Sequence, residues 1–126
     1  MRTPNRAFGL AAIALALAAC GSTASTQLGT IGEAAANIVA DDLAFDRATL
    51  EVPAGLSVTL VFENRESAPH NVAIYADDSA GEAVFVGEVF GGPGFREYAL
   101  PALAPGSYLF RCDVHQEMRG TLVATP

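Results

Sequence analysis

The chain has no lysine, and only two histidines, two cysteines and two methionines among its 126 residues. Each scarcity excludes something. All 7 basic residues are arginine, set against 14 acidic ones, for a formal net charge of -7. Phosphate binding needs clustered positive charge, so nucleic acid is excluded as a partner. The acidity reads either as solubility or as steering toward a basic partner. The N-terminal apolar run, Ala7 to Ala19, has 13 residues, too few for a membrane-spanning helix. What remains has the length of one domain, and its 51% hydrophobic content is enough for a packed core.

Arg2 and Arg6 precede that apolar run, and small residues follow it. This is the pattern of a secretory signal peptide over residues 1–19. It ends in Leu17-Ala18-Ala19-Cys20, which resembles the lipobox of bacterial lipoproteins. The resemblance implies cleavage before Cys20, lipidation of Cys20, and anchoring at the periplasmic or extracellular face of a bacterial membrane. The rival reading is a soluble secreted protein with Cys20 unmodified. A lipidated Cys20 leaves Cys112 without a partner in an oxidising compartment, where paired cysteines are the rule. Such a leftover thiol calls for metal ligation, intermolecular pairing or reactivity.

Residues 20–36 are rich in Gly, Ser, Thr and Ala and read as a flexible tether. The domain is expected over 37–126. Its short β-like segments are broken by Pro and Gly: Ile38–Ala40, Leu43–Phe45, Thr49–Val52, Ser57–Asn64, His70–Tyr75, Phe95–Leu100, Ser107–Cys112 and Gly120–Ala124. Ala83–Phe90 reads as strand or helical turn. Val58, Leu60 and Phe62 alternate with polar residues, Val61 being the exception. Seven or eight strands with frequent turn signals predict an all-β protein, a sandwich or barrel.

The chemistry is concentrated in Cys112-Asp113-Val114-His115-Gln116-Glu117-Met118. A thiolate, an imidazole and a thioether fall within seven residues, between two strands, so one loop can wrap them around one point. His70 supplies a second imidazole. The set uses both histidines, and both the Cys and the Met that remain after the leader. Two His, one Cys and a weak axial Met form the ligand set of a blue copper site. Strand parity agrees. His70 shares a face with Val72 and Ile74, and Cys112 with Phe110 and Tyr108, so both ligands should point inward at one end of the fold.

Pro69-His70-Asn71-Val72, and the stretch from Pro105-Gly106-Ser107-Tyr108 through Met118-Arg119-Gly120, resemble the cupredoxins, close to the plastocyanin and amicyanin group. The short Cys-x-x-His-x-x-Met spacing is similar to amicyanin. The resemblance implies a Greek-key β-sandwich and one copper ion cycling between Cu(I) and Cu(II). His70, Cys112 and His115 would be equatorial ligands and Met118 axial, with Asn71 tying the two ligand segments together by hydrogen bonds. The related binuclear site of oxidase subunit II needs a second cysteine in the loop. Tyr108 and Gln116 stand where none is available, so a mononuclear site is expected.

Each residue also has a plain reading. His70 could be a satisfied core histidine, and Met118 and Cys112 core filler. A Cys112–His115 nucleophile leaves Met118 and His70 unexplained, so an enzyme is not expected. The leading expectation is one-electron transfer by a monomer. Its transient redox partner would be a basic c-type cytochrome, or an oxidase or reductase, docking on a patch of Ala68, Pro69, Gly91 to Pro93 and Met118 around His115. Copper storage or delivery is the alternative, and a metal-free adhesion module the third reading.

Overall fold

The computed structural model describes residues 34–126. The leader, Cys20 and most of the tether lie outside the described residues. Strands form β1 (Ala34–Asp41), β2 (Ala44–Phe45), β3 (Thr49–Pro53), β4 (Val58–Asn64), β5 (Pro69–His70), β6 (Ala73–Tyr75), β7 (Ala83–Val86), β8 (Phe90–Gly91), β9 (Gly94–Leu100), β10 (Gly106–Arg111) and β11 (Arg119–Thr125). No helix occurs among the described residues. The fold is all-β, as the turn spacing predicted.

Two sheets face each other, ordered β2-β1-β4-β9 and β3-β11-β10-β6-β7, and a short ribbon pairs β5 with β8. β1 runs parallel to β4, and β3 parallel to β11. The alternation in β4 sets its register. Val58, Leu60 and Phe62 are buried, while Thr59, Val61 and Glu63 are half-buried on the outer face. Val61 therefore obeys the strand period in spite of its side chain. β1 places Ile38 opposite Phe62, and β9 places Tyr98 opposite Leu60, so three strands contribute to one inner face. Burying a side chain such as Phe62 is worth about 1.5–3 kcal/mol. The edge-on pair of Phe45 with Phe110 joins the two sheets, and Phe62 packs edge-on against Phe45 in its own sheet and against Phe90 of the ribbon.

Two local expectations are corrected, and a third, left open between strand and helical turn, is decided. β1 begins at Ala34 rather than Ile38, because Ala34 to Ala36 continue the parallel ladder opposite Val58 to Leu60. Residues 34–36, expected in the tether, are therefore strand. The expected strand over 70–75 is two short pieces with Asn71 and Val72 between them. The first pairs with β8 and the second with β10 and β7. The Ala83–Phe90 stretch resolves to strand β7 and the start of β8.

Parity survives the break. Val72 and Ile74 join the main core, while Ala73 and Tyr75 pack with Leu109 in a second cluster.

Candidate metal centre

The turn from β10 to β11 is closed by its own backbone. The Cys112 N–H donates to the Met118 carbonyl at 2.9 Å, and the Met118 N–H to the His115 carbonyl at 2.9 Å. The chain from Cys112 to Met118 is thus folded back on itself, which turns a sequence spacing into a cluster. Cys112 is a free thiol, fully buried. Met118 is 2% exposed and packs in the same core cluster as Cys112. His115 is half-buried at the rim.

His70 reaches this cluster from the other side. The Asn64 side chain organises its approach, donating to the carbonyls of Ala68 and Phe90 at 2.8 and 3.0 Å and accepting from the Glu66 N–H at 3.0 Å. The β5–β8 ribbon then sets His70 opposite Phe90. Cys112 Sγ lies 3.7 Å from His70 Nδ1 and 3.9 Å from His115 Nδ1, and the two Nδ1 atoms are 3.1 Å apart. A triangle with these sides has a centre about 2.1 Å from every corner, close to the metal–nitrogen and metal–thiolate bond lengths of tetrahedral sites. Among the described residues this is the group of His, Cys and acidic side chains placed to hold a metal.

The protons agree with that reading. The Nε2 of His70 lies 2.7 Å from Glu66 Oε1. The Leu43 N–H donates to the same oxygen at 2.9 Å. That backbone hydrogen bond, followed by the one to His70, holds the Glu66 carboxyl below its ordinary range. Glu66 is therefore a charged acceptor, and the His70 proton sits on Nε2 to meet it. In the neutral ring with its proton on Nε2, Nδ1 turns a lone pair toward a second imidazole nitrogen and a sulfur. A cation at the centre satisfies all three, and a carboxylate behind a ligating histidine is the usual way to fix its tautomer. Two imidazoles, a thiolate and a nearby thioether are donors that suit copper.

Leu43 is bound into this arrangement at a cost. With Asp42 it makes the two-residue turn between β1 and β2, at φ 52° and 55°. Non-glycine residues take this left-handed conformation at roughly 1–2 kcal/mol each. The turn aims the Leu43 N–H at Glu66 and leaves the Leu43 side chain 51% exposed.

Behind the thiolate, Asn71 is fully buried. Its Oδ1 accepts from the Asp113 N–H at 2.8 Å, and its Nδ2 donates to Asp113 Oδ2 at 3.1 Å and to the Gly87 carbonyl at 3.0 Å. It thereby links the segment after His70 to the segment after Cys112. Gly87 must be glycine, because a Cβ there would meet the Tyr98 ring and the Val72 carbonyl at 2.6–2.7 Å.

The docking patch needs one correction. Pro69, Gly91 and Pro93 are exposed, and Ala68 and Gly92 half-buried, but Met118 is buried. Its side chain serves the core cluster, not the surface. Leu43 and Val114 are the exposed apolar side chains that stand beside site residues. The sequence reading also passed over Glu66, Asp113 and Tyr75. Glu66 stands four residues before His70, a spacing that could have flagged it; Tyr75 gave no such signal.

The profile of the cupredoxin-like domain matches residues 9–124. No curated protein matches the chain. Among solved structures, auracyanin A, a blue copper protein from Chloroflexus aurantiacus, is 24% identical with a TM-score of 0.67 over 75% of this chain and 100% of its own. Dithionite-reduced auracyanin from Roseiflexus castenholzii is 23% identical with a TM-score of 0.63, covering 76% of this chain and 99% of its own. Amicyanin from Paracoccus versutus is 26% identical with a TM-score of 0.56, covering 77% and 87%. The family profile spans most of the sequence, the strand order makes two facing sheets, and the chain belongs to the cupredoxin-like domain family.

Proposed function

We propose that this protein is an exported, lipid-anchored, monomeric electron carrier. It would hold one copper ion between His70, Cys112 and His115, with the Met118 thioether as a weaker fourth donor. The observation that carries this reading is the triangle of Nδ1, Nδ1 and Sγ, already at bonding size and built on a sandwich core. Copper, when bound, supplies a one-electron couple between Cu(I) and Cu(II).

The rest of the work belongs to the chain. Glu66 holds the His70 proton away from the centre. The β10–β11 turn holds Cys112, His115 and Met118 in one loop. Burial of Cys112 and His70 keeps water off the donors, so little has to rearrange when an electron arrives or leaves. His115, half-buried at the rim, is the route in and out. Pro69, Gly91, Pro93, Leu43 and Val114 surround this end with an apolar surface of the kind that receives a transient partner. The net acidity favours a basic partner, such as a c-type cytochrome or the basic face of an oxidase or reductase.

The lipid anchor rests on Leu17-Ala18-Ala19-Cys20. It would hold the domain at the periplasmic or extracellular face of a bacterial membrane. Lipidation also keeps Cys20 from forming a disulfide with Cys112. Retention separates this function from copper delivery. The copper-loaded protein should take up and release one electron reversibly and keep its metal for hours against a mild chelator. Loss of copper within minutes would assign it to storage or delivery instead.

A further inference from the structure

The Asn71–Asp113 pair does not end at Asp113. Asp113 Oδ1 accepts from the Tyr75 hydroxyl at 2.6 Å and is approached by Arg111 Nε at 3.4 Å. The Arg111 guanidinium lies 4.7 Å over the Tyr75 ring, and its terminal nitrogen is 3.5 Å from the Tyr75 oxygen. Tyr75 and Leu109 are directly opposed across β6 and β10 and form the second apolar cluster with Ala73. A carboxylate one peptide from the thiolate is therefore tied to the sheet by a phenol, a guanidinium and a buried amide.

These contacts require a carboxylate. Asp113 uses one oxygen for Tyr75 and Arg111 and the other for Asn71. A serine or threonine has one oxygen and could not accept on both sides. An asparagine could keep one side, and its NH2 would point a donor at another donor. Charge-assisted hydrogen bonds of this kind are about twice as strong as neutral ones.

We propose that Asp113 is the positioning residue of the cysteine loop. Its carboxylate, held by Tyr75 and Arg111, locks the turn from Cys112 to Met118 in its ligand-bearing shape before any metal arrives, and its charge lowers the reduction potential of the site. The second part rests on the copper reading above; the first does not. The sign follows from Coulomb's law. A negative charge beside the thiolate opposes the arrival of an electron.

The test uses the full chain with Asp113→Asn, Asp113→Ala and Tyr75→Phe. In metal-free protein, amide hydrogen exchange at Cys112 and Met118 should quicken about tenfold or more in Asp113→Ala, the factor expected from losing a hydrogen bond to a charged group. Tyr75→Phe should quicken the same amides less. Amides of β4 and β9 should keep their rates in both. Unchanged rates at Cys112 and Met118, or equal acceleration throughout the fold, would overturn the positioning role. In copper-loaded protein, Asp113→Asn should raise the midpoint potential, whereas Tyr75→Phe, which keeps the carboxylate, should move it less. An unchanged or lowered potential in Asp113→Asn would overturn the charge-setting role. If no variant or parent binds copper, the exchange measurement still decides the positioning role, so the two failures can be told apart.

Discussion

The two histidines are presented by different kinds of structure. His70 is fully buried, comes from a short ribbon, and is braced through Glu66 by the strained β1–β2 turn. His115 is half-buried and belongs to a turn that is held by backbone bonds at Cys112 and Met118. One imidazole is a wall and the other a door. One small site is in this way both rigid and reachable. Rigidity comes from the segment remote in sequence, and access from the segment that carries the other donors.

Substituting each histidine by glycine should break the symmetry most visibly. His115→Gly opens a hole at the rim, so added imidazole should enter and restore the visible thiolate-to-copper absorption band of the copper-loaded protein. His70→Gly opens a hole inside the core, beneath Glu66, and added imidazole should restore little or nothing. Removing a buried side chain of this size also costs several kcal/mol, so the melting temperature should fall further for His70→Gly. Equal rescue of the two variants would erase the contrast.

Glu66→Gln sharpens the comparison at the wall. The amide keeps the size of the side chain but turns one oxygen into a donor and removes the charge. Loss of a partner behind a ligating histidine typically costs about 10–100-fold in metal affinity. The band should keep its position while copper dissociates faster. An unchanged affinity would mean that the ribbon alone orients His70.

The smallest effect concerns acid. Asp46 accepts from the Val39 N–H at 2.9 Å and from Arg47, and these hold its carboxyl below the ordinary value, the Arg47 hydrogen bond most of all. A lowered value in the folded state stabilises the fold above the ordinary carboxylate pKa of about 3.9 and ceases to do so as pH falls through the lowered one. Below about pH 4 the parent should lose stability more steeply than Asp46→Asn. The pair is exposed, so the difference in melting temperature should be small. Because Asp46 follows the β1–β2 turn that carries Leu43, the loss should appear on the His70 side of the site before the cysteine loop.

Much of this was legible in the sequence. The Val58-Leu60-Phe62 alternation and the turn residues defined the β class. The crowding of Cys112, His115 and Met118, with parity pointing His70 inward, located the centre. What was hidden depended on contacts between distant segments. The break between β5 and β6 arises because Asn71 leaves the ladder to bond Asp113, 42 residues away. The Glu66–Leu43 bond spans 23 residues and depends on a left-handed turn at a leucine, where local preference favours glycine or asparagine. The burial of Met118 was misjudged because a thioether beside a rim histidine reads as surface until the closed loop turns it inward.

His70, Cys112 and His115 are placed to converge on one copper ion. Titration of the metal-free protein with Cu(II), followed by visible absorption, tests it most directly. Convergence of these side chains on one ion gives an intense thiolate-to-copper charge-transfer band that saturates at one equivalent and is absent from Cys112→Ser. A band that never forms, that requires more than one copper per chain, or that persists in Cys112→Ser would contradict it.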